Sequence, residues 1–188
     1  MRALYLPPWR IDLTIRDGVD APVSATVLAR SIADALAAAG APSPASIGLI
    51  LSDDAELAAL NVEHLGHSGP TDVLSFPLLS PTVFPAHLAE PQDRRQAVSR
   101  GPFVLPPGRR VHLGDIVVSV ERAVDQAQAG RGGHTGTVRW SPADELRLLV
   151  THGVLHICGW DHADPSEEAA MRALERRLLG LSPRSAAV

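Results

Sequence analysis

The sequence predicts a mixed α/β (α+β) domain with a sheet of about four strands and about five flanking helices. Short runs with strand character interleave along the chain with longer segments of helical period. One helix is apolar around most of its circumference, so we expect it to be buried across the sheet. The length of 188 residues fits a single domain, which we place at residues 1–180, with a flexible tail at 181–188.

Four strands are predicted from short runs rich in β-branched and other apolar residues. They lie at residues 11–15, 46–51, 71–76 and 114–119. The first alternates apolar and polar residues, as an edge or half-buried strand does. Pro77 ends the third, because proline cannot donate a hydrogen bond to a neighbouring strand.

Five segments of helical period predict helices at residues 23–39, 55–61, 120–129, 142–158 and 167–179. Gly40 and Pro42 end the first helix, and Ser141 followed by Pro142 begins the fourth. Residues 78–110 are rich in proline and show no sustained period, so they predict a long, partly disordered loop.

Composition narrows the class of protein. The net charge of −4 argues against a chain that is basic throughout and binds nucleic acid over its whole surface. No apolar run approaches the roughly 18 residues that span a membrane, and the first ten residues lack the apolar core of a signal peptide. Cys158 is the only cysteine, so no internal disulfide forms, as is typical of a reducing cytosol. We therefore expect a cytoplasmic protein with no membrane partner.

The strongest chemical signal is the segment 152–162, which reads HGVLHICGWDH. His152 and His156 are four residues apart, so both imidazoles lie on one side of the predicted helix. Gly159 can end that helix at positive φ, which lets the chain turn back and present His162. Three neutral imidazoles leave one tetrahedral position open for a water, which is the pattern of a catalytic zinc site.

Three nearby residues compete with the histidines for a role at the metal. Glu145 lies on the same helical stripe as His152 but about 10 Å away along the axis, so we do not expect it to be a ligand. Cys158 points away from that stripe and is interpreted as a small core residue. Asp161 has two open interpretations, a carboxylate that orients an imidazole or a turn residue.

Three segments together resemble the YbeY family of endoribonucleases, also called rRNA maturation factors. They are residues 70–77 (PTDVLSFP), residues 113–116 (LGDI) and the histidine segment. The helix that carries Glu167, Met171 and Glu175 also matches in place. The resemblance implies that His152, His156 and His162 bind one zinc ion (Zn²⁺).

The resemblance further implies a four-stranded sheet with flanking helices and a zinc-dependent, single-strand-specific endoribonuclease. Such an enzyme acts on RNA rather than DNA, matures the 3′ end of the small-subunit ribosomal RNA and serves ribosome quality control. Its implied partners are single-stranded rRNA and the small ribosomal subunit with its proteins, in the cytoplasm. Thr71, Ser75 and His64 are candidate substrate-binding residues, and strand-end hydrogen bonding is the alternative role for Thr71 and Ser75.

The chain departs from the family pattern in two places. The family carries an arginine, held to be important for activity, within Leu-Asn-x-x-x-Arg-Gly, whereas residues 60–66 read LNVEHLG and place Leu65 there. The loop 78–110 is longer than the usual connection, and we interpret it as a tolerated insertion, with a lid or an RNA-contacting arm as the alternatives. Candidates to replace the arginine are His64, His67, Arg94, Arg95, Arg100, Arg109 and Arg110.

Two other functions compete with the nuclease. The spacing of the histidines also resembles that of metzincin proteases, which carry a glutamate directly after the first histidine as the general base. Here that residue is Gly153, which argues against a protease. The other hypothesis is a non-catalytic ribosome-assembly factor with a structural zinc ion, which the leucine at position 65 favours.

Overall fold

A five-stranded mixed sheet organises the chain, which a computed structural model describes for residues 1–84, 109–130, 140–162 and 164–180. The spatial order of the strands is β1-β2-β3-β5-β4. β2, β3 and β5 run parallel, whereas β1 is antiparallel to β2 and β4 is antiparallel to β5. The strands are β1 (Arg2–Leu6), β2 (Trp9–Ile15), β3 (Ala45–Ser52), β4 (Val73–Pro77) and β5 (Val111–Ser119).

The mixed α+β class is confirmed, but the sheet has one strand more than the sequence predicts. The additional strand is β1, an edge strand that pairs on one side only. Only Leu4 and Leu6 of this strand are partly buried against the core, and Ala3 and Tyr5 point outward. Two inward residues are too few to predict a strand from the sequence. The strand is stabilised by its pairing with β2.

The described residues contain the five α-helices that the sequence predicts. Asp53 caps α2 by accepting a hydrogen bond from the backbone nitrogen of Glu56 at 2.9 Å. α2 runs past its predicted end to Leu65, where Gly66 closes it at φ 69°. The helices are α1 (Ala25–Ala38), α2 (Asp54–Leu65), α3 (Val120–Gln128), α4 (Pro142–Ile157) and α5 (Pro165–Leu178).

The sheet separates two apolar layers. On one face α1 and α4 pack against the strands and form the main core, which includes Ile32, Ile116 and Leu155. On the other face α2 contributes Leu57 to a smaller cluster with Leu74 and Val117. The buried helix that carries two of the histidines is therefore packed across the sheet, as the sequence predicts.

Some sequence predictions fall outside the described residues. These predictions concern most of the proline-rich loop (residues 85–108) and the predicted tail (residues 181–188). The extent of the domain therefore stays a prediction. Within the described residues, no helix combines the length and the apolar character needed to cross a membrane.

Candidate metal centre

Helix α4 positions His152 and His156 on a buried framework. Its start is fixed by a capping box, in which Ser141 accepts from the backbone of Asp144 and Asp144 accepts from the backbone of Ser141, both at 3.2 Å. Its end is the predicted glycine turn, with Gly159 at φ 86°. The residues after that turn bring His162 back towards the helix.

The three imidazoles converge on one point. The Nε2 atom of His156 lies 3.0 Å from Nε2 of His152 and 3.1 Å from Nε2 of His162. The rings of His152 and His162 are stacked at 13°, and the His156 ring stands nearly perpendicular to both. Among the described residues, this is the only group of three or more His, Cys, Asp or Glu side chains placed to share a metal ion.

The donor atoms fit a metal ion. Nδ1 of His152 lies 2.8 Å from Oε1 of Glu175, and a carboxylate can only accept, so Nδ1 carries the hydrogen. The Nε2 atom of a neutral His152 therefore presents a lone pair to the other two rings. Tetrahedral zinc with Zn–N bonds of about 2.0–2.1 Å separates its nitrogen ligands by about 3.3 Å, close to the two spacings from His156, and all three donor atoms lie within 4.8 Å of one another. A cation at this point would relieve the contact between nitrogen atoms.

Electrostatics keep the central ligand neutral. Burial, reinforced by the imidazoles of His152 and His162, lowers the pKa of His156 to about 4. A neutral imidazole is the form that binds a metal, so no proton has to leave His156 at neutral pH. Burial also raises the pKa of the Cys158 thiol to about 12, and this fully buried side chain is not part of the cluster. Its predicted place in the core agrees with both observations.

The carboxylate that orients an imidazole is Glu175, which the sequence did not single out for this role. Asp161 instead accepts from the backbone nitrogen of His162 at 2.7 Å, and its own nitrogen donates to Glu167. Both bonds are local to the turn, and a role of Asp161 in orienting an imidazole stays a prediction. The sequence carried a signal for Glu175, which shares one stripe of α5 with the apolar residues Met171 and Leu174. The structure buries this stripe, and Glu175 is only 8% exposed. An acid on the buried stripe of a helix needs a partner.

Gly153, next to the first histidine, faces the sheet rather than the metal centre. A Cβ atom at this position would lie 2.7 Å from Cγ2 of Ile116 and 3.2 Å from Oγ of Ser75. Ser75 also donates a hydrogen bond to the carbonyl oxygen of Gly153 at 3.1 Å. Position 153 therefore has no room for a glutamate, and a side chain there would be directed away from the histidines.

The other two candidate substrate residues, Thr71 and His64, are not part of the histidine cluster. The hydroxyl of Thr71 is 3.5 Å from Asp72 and from the carbonyl of Val73, and His64 makes an edge contact with the ring of Phe76 at 5.1 Å. Leu65, at the position of the family arginine, is 56% exposed. The roles of His64, Thr71 and Ser75 stay predictions.

The residues that could replace the missing arginine lie in different parts of the molecule. Arg110 donates to the carbonyl of Pro8 at 2.6 Å, beside the turn between β1 and β2. Arg94, Arg95 and Arg100 lie outside the described residues. The remaining candidates, His64, His67 and Arg109, are exposed, and none of them lines the cavity between α4 and α5.

A cavity of about 460 Å³ adjoins the histidines and lies between α4 and α5. Glu145 and His152 line it from α4, and Arg172, Glu175 and Arg176 line it from α5. His162, Trp140 and Asp72 also reach it. Glu145 is only 3% exposed, accepts from the indole nitrogen of Trp140 and is not part of the metal cluster, as expected. Burial raises the pKa of Glu145.

The fold and the site define a class, namely a mixed α/β protein with three clustered histidines that could hold a metal ion, two of them on a buried helix. A sequence profile described as "Endoribonuclease YbeY" matches residues 16–181. The chain therefore belongs to the YbeY endoribonuclease family, as the motifs predicted.

Curated relatives carry the same description. An "Endoribonuclease YbeY" from Roseiflexus castenholzii is 37% identical over 171 residues, 90% of this chain and 91% of the relative. Another from Symbiobacterium thermophilum is 40% identical over 144 residues, covering 77% of this chain and 76% of the relative. A solution structure from Thermotoga maritima aligns with 95% of this chain and 99% of its own at 18% identity and a TM-score of 0.47. The family assignment rests on the sequence matches.

Proposed function

We propose that this protein is a zinc-dependent, single-strand-specific endoribonuclease that matures the 3′ end of the small-subunit ribosomal RNA and serves ribosome quality control. The observation that carries the proposal is the convergence of His152, His156 and His162. RNA as the substrate follows from the name shared by the curated relatives. The ribosomal small subunit as partner and the cytoplasm as location follow from the family resemblance.

Zinc is the metal that best suits the donor set, although imidazoles also bind nickel and cobalt. Three imidazoles and one open position are typical of catalytic zinc, which when bound polarises a phosphate oxygen and lowers the pKa of a water towards about 7. The residues of this chain prepare that chemistry. His156 is held neutral by burial, and Glu175 fixes the tautomer and the ring orientation of His152.

A peptidase is not supported at this site. The metzincin general base follows the first histidine, and here Gly153 is pressed against Ile116 of the sheet. Without that carboxylate, peptide hydrolysis lacks its usual proton acceptor, whereas a phosphodiester beside a 2′-hydroxyl can be cleaved by either water or that hydroxyl. The chemical end left on the RNA tells these two routes apart.

The test combines metal analysis with RNA cleavage. Purified wild-type protein should contain about one zinc per chain and cut a single-stranded RNA, but leave the same sequence intact in a duplex. His156→Ala should lose the zinc and the activity, while Cys158→Ala, a change two residues away and outside the cluster, should keep both. Circular dichroism confirms that each variant is folded.

Two outcomes would contradict the proposal. Zinc-loaded wild-type protein that leaves the RNA intact, also when small-subunit proteins are added, would favour a non-catalytic assembly factor. Metal-free protein with full activity would remove the three histidines from the mechanism.

A further inference from the structure

The cavity beside the metal centre is built from one face of each of two helices. Glu145, Leu148, Leu149 and His152 lie at helical spacing along α4 and form one wall. The facing wall is the side of α5 that carries Arg172 and Arg176, one turn apart. From Glu145 to His152 the cavity extends about 10 Å along α4, since each residue adds about 1.5 Å. It therefore leads directly away from the point where the imidazoles converge.

The α5 wall supplies two arginine side chains to the cavity. Arg172 is paired with Glu168, but Arg176 has no acidic partner among the described residues. Arg172 and Arg176 are also the only basic side chains that line the cavity within the described part of the chain, apart from the histidines. Guanidinium groups bind phosphate oxygens through two parallel hydrogen bonds.

The acids that share this cavity are already bonded within the protein. Glu175 is bonded to His152, and Asp72 accepts from the side-chain amide of Gln126 at 3.0 Å. Glu168 is paired with Arg172, and burial favours the neutral form of Glu145. Each acid therefore has a partner, which for Glu145 is the indole of Trp140, whereas Arg176 has no acidic partner among the described residues.

The end of the cavity that contains Glu145 has side chains that could bind a nucleobase. Leu148 and Leu149 present apolar surface, and the half-buried Trp140 presents an aromatic ring at the same end. The carboxyl group of Glu145 is held by the indole nitrogen of Trp140 through one oxygen, which leaves the other for the edge of a base. Apolar walls around a few polar groups are typical of a ligand pocket, and unpaired bases in RNA are bound by stacking on aromatic side chains.

We propose that this cavity is a nucleotide subsite, in which one unpaired base of the RNA lies between Trp140 and the leucines and its phosphate contacts Arg176 and Arg172. The proposal rests on the proposed ribonuclease function and adds which residues hold the strand beside the metal centre. It assigns the phosphate contact to α5, whereas Leu65 on α2, the position of the family arginine, does not line the cavity.

The phosphate contact is tested by RNA binding. Zinc-loaded protein is titrated with a fluorescent, single-stranded 2′-O-methyl RNA, and binding is followed by anisotropy at several salt concentrations. Arg176→Gln should weaken binding about tenfold and lower the slope of log K against log salt by about 0.7. Arg177→Gln is the matched control, because Arg177 is the adjacent exposed arginine and does not line the cavity.

The base contact is tested by pairing a protein change with an RNA change. A series of RNAs is used, each with a single abasic position. One of them should bind wild-type protein at least about fivefold more weakly than the intact RNA, since a stacked base is lost. The same RNA should lose little further affinity for Trp140→Ala, whose zinc content and circular dichroism report that the site and the fold are kept. Glu145→Gln keeps the shape of the side chain and should alter affinity only for RNAs that retain this base.

Equal binding by Arg176→Gln and Arg177→Gln, or an abasic penalty that is the same in wild type and Trp140→Ala, would overturn the subsite while wild-type cleavage still upholds the nuclease. If wild-type protein neither binds nor cuts any single-stranded RNA, the proposed function fails and the subsite falls with it.

Discussion

Two clefts of comparable size differ in how their polar groups are bonded. The cavity at the metal centre has a volume of about 460 Å³, and the second cleft, of about 610 Å³, lies at the carboxyl ends of β2, β3 and β5. In open α/β sheets, ligands usually bind at that second location. Here that cleft is lined by acids, namely Asp17, Asp20, Asp53, Asp54, Glu121 and Asp125.

Three acids of the second cleft are bonded within the fold, and one of them, Glu121, accepts from the backbone nitrogen of Asp54 at 2.8 Å. Asp53 caps α2, and Asp54 accepts from Ser119 at 2.7 Å and from Arg122 at 3.0 Å. In the cavity of the metal centre, by contrast, imidazole nitrogens face one another and Arg176 has no acidic partner among the described residues. The difference teaches that the bonding of polar groups, rather than the position of a cleft on the sheet, distinguishes the candidate functional site in this protein.

The largest effect is expected from Glu175→Gln, which removes the charge behind His152 and keeps the size of the side chain. Zinc affinity should fall about 10- to 100-fold, because outer partners of metal-bound histidines orient the ring and raise its basicity. A competition titration with a chelator measures this. Asp54→Asn is the matched change in the acidic cleft and should leave zinc affinity unaltered, and equal losses in both variants would contradict the contrast between the clefts.

Gly153→Ala tests how closely helix α4 must lie against the sheet. Alanine favours a helix by about 1 kcal/mol over glycine, yet its Cβ would lie 2.7 Å from Ile116. We expect a net loss of about 1–3 kcal/mol of unfolding free energy from overpacking, measured by urea denaturation. In an Ile116→Ala background the loss should shrink. A gain in stability from Gly153→Ala alone would show that α4 has space to move.

Sequence patterns predicted those parts of the fold and the site that depend on neighbours along the chain. The spacing of His152 and His156, the turn at Gly159 and the cap at Ser141 are local, and the structure has each as predicted. Edge strand β1 depends on pairing with β2, so its own residues carried little signal. Glu175 was missed because its partner, His152, is 23 residues earlier. The contact between Glu175 and His152 depends on the packing of α4 against α5, which the apolar pattern of neither helix predicts.

Asp53→Ala is expected to affect stability alone. It removes the side-chain acceptor for the backbone nitrogen of Glu56 at the start of α2, and loss of such a cap typically costs about 1 kcal/mol. Zinc content and RNA cleavage should match wild type, because the acidic cleft has a structural role. A cleavage defect in a folded, zinc-loaded Asp53→Ala protein would indicate that this cleft takes part in function.

The smallest effect is a difference in pH dependence between two glutamates. Burial raises the folded-state pKa of Glu145 above its ordinary 4.5, so folding takes up a proton and wild type loses stability as the pH rises from 4.5 through the raised value. The unfolding free energy of Glu145→Gln, relative to that of wild type, should therefore increase as the pH rises.

Glu56 is the opposite case, because a hydrogen bond from Arg16 lowers its pKa. The stabilisation by Glu56 is present above pH 4.5 and is lost as the pH falls. The unfolding free energy of Glu56→Gln, relative to that of wild type, should therefore decrease as the pH rises. Urea denaturation from pH 4 to 7, a range of about three units around these values, should give slopes of opposite sign. Slopes of the same sign would mean that Glu145 is not a poorly solvated acid in the cavity between α4 and α5.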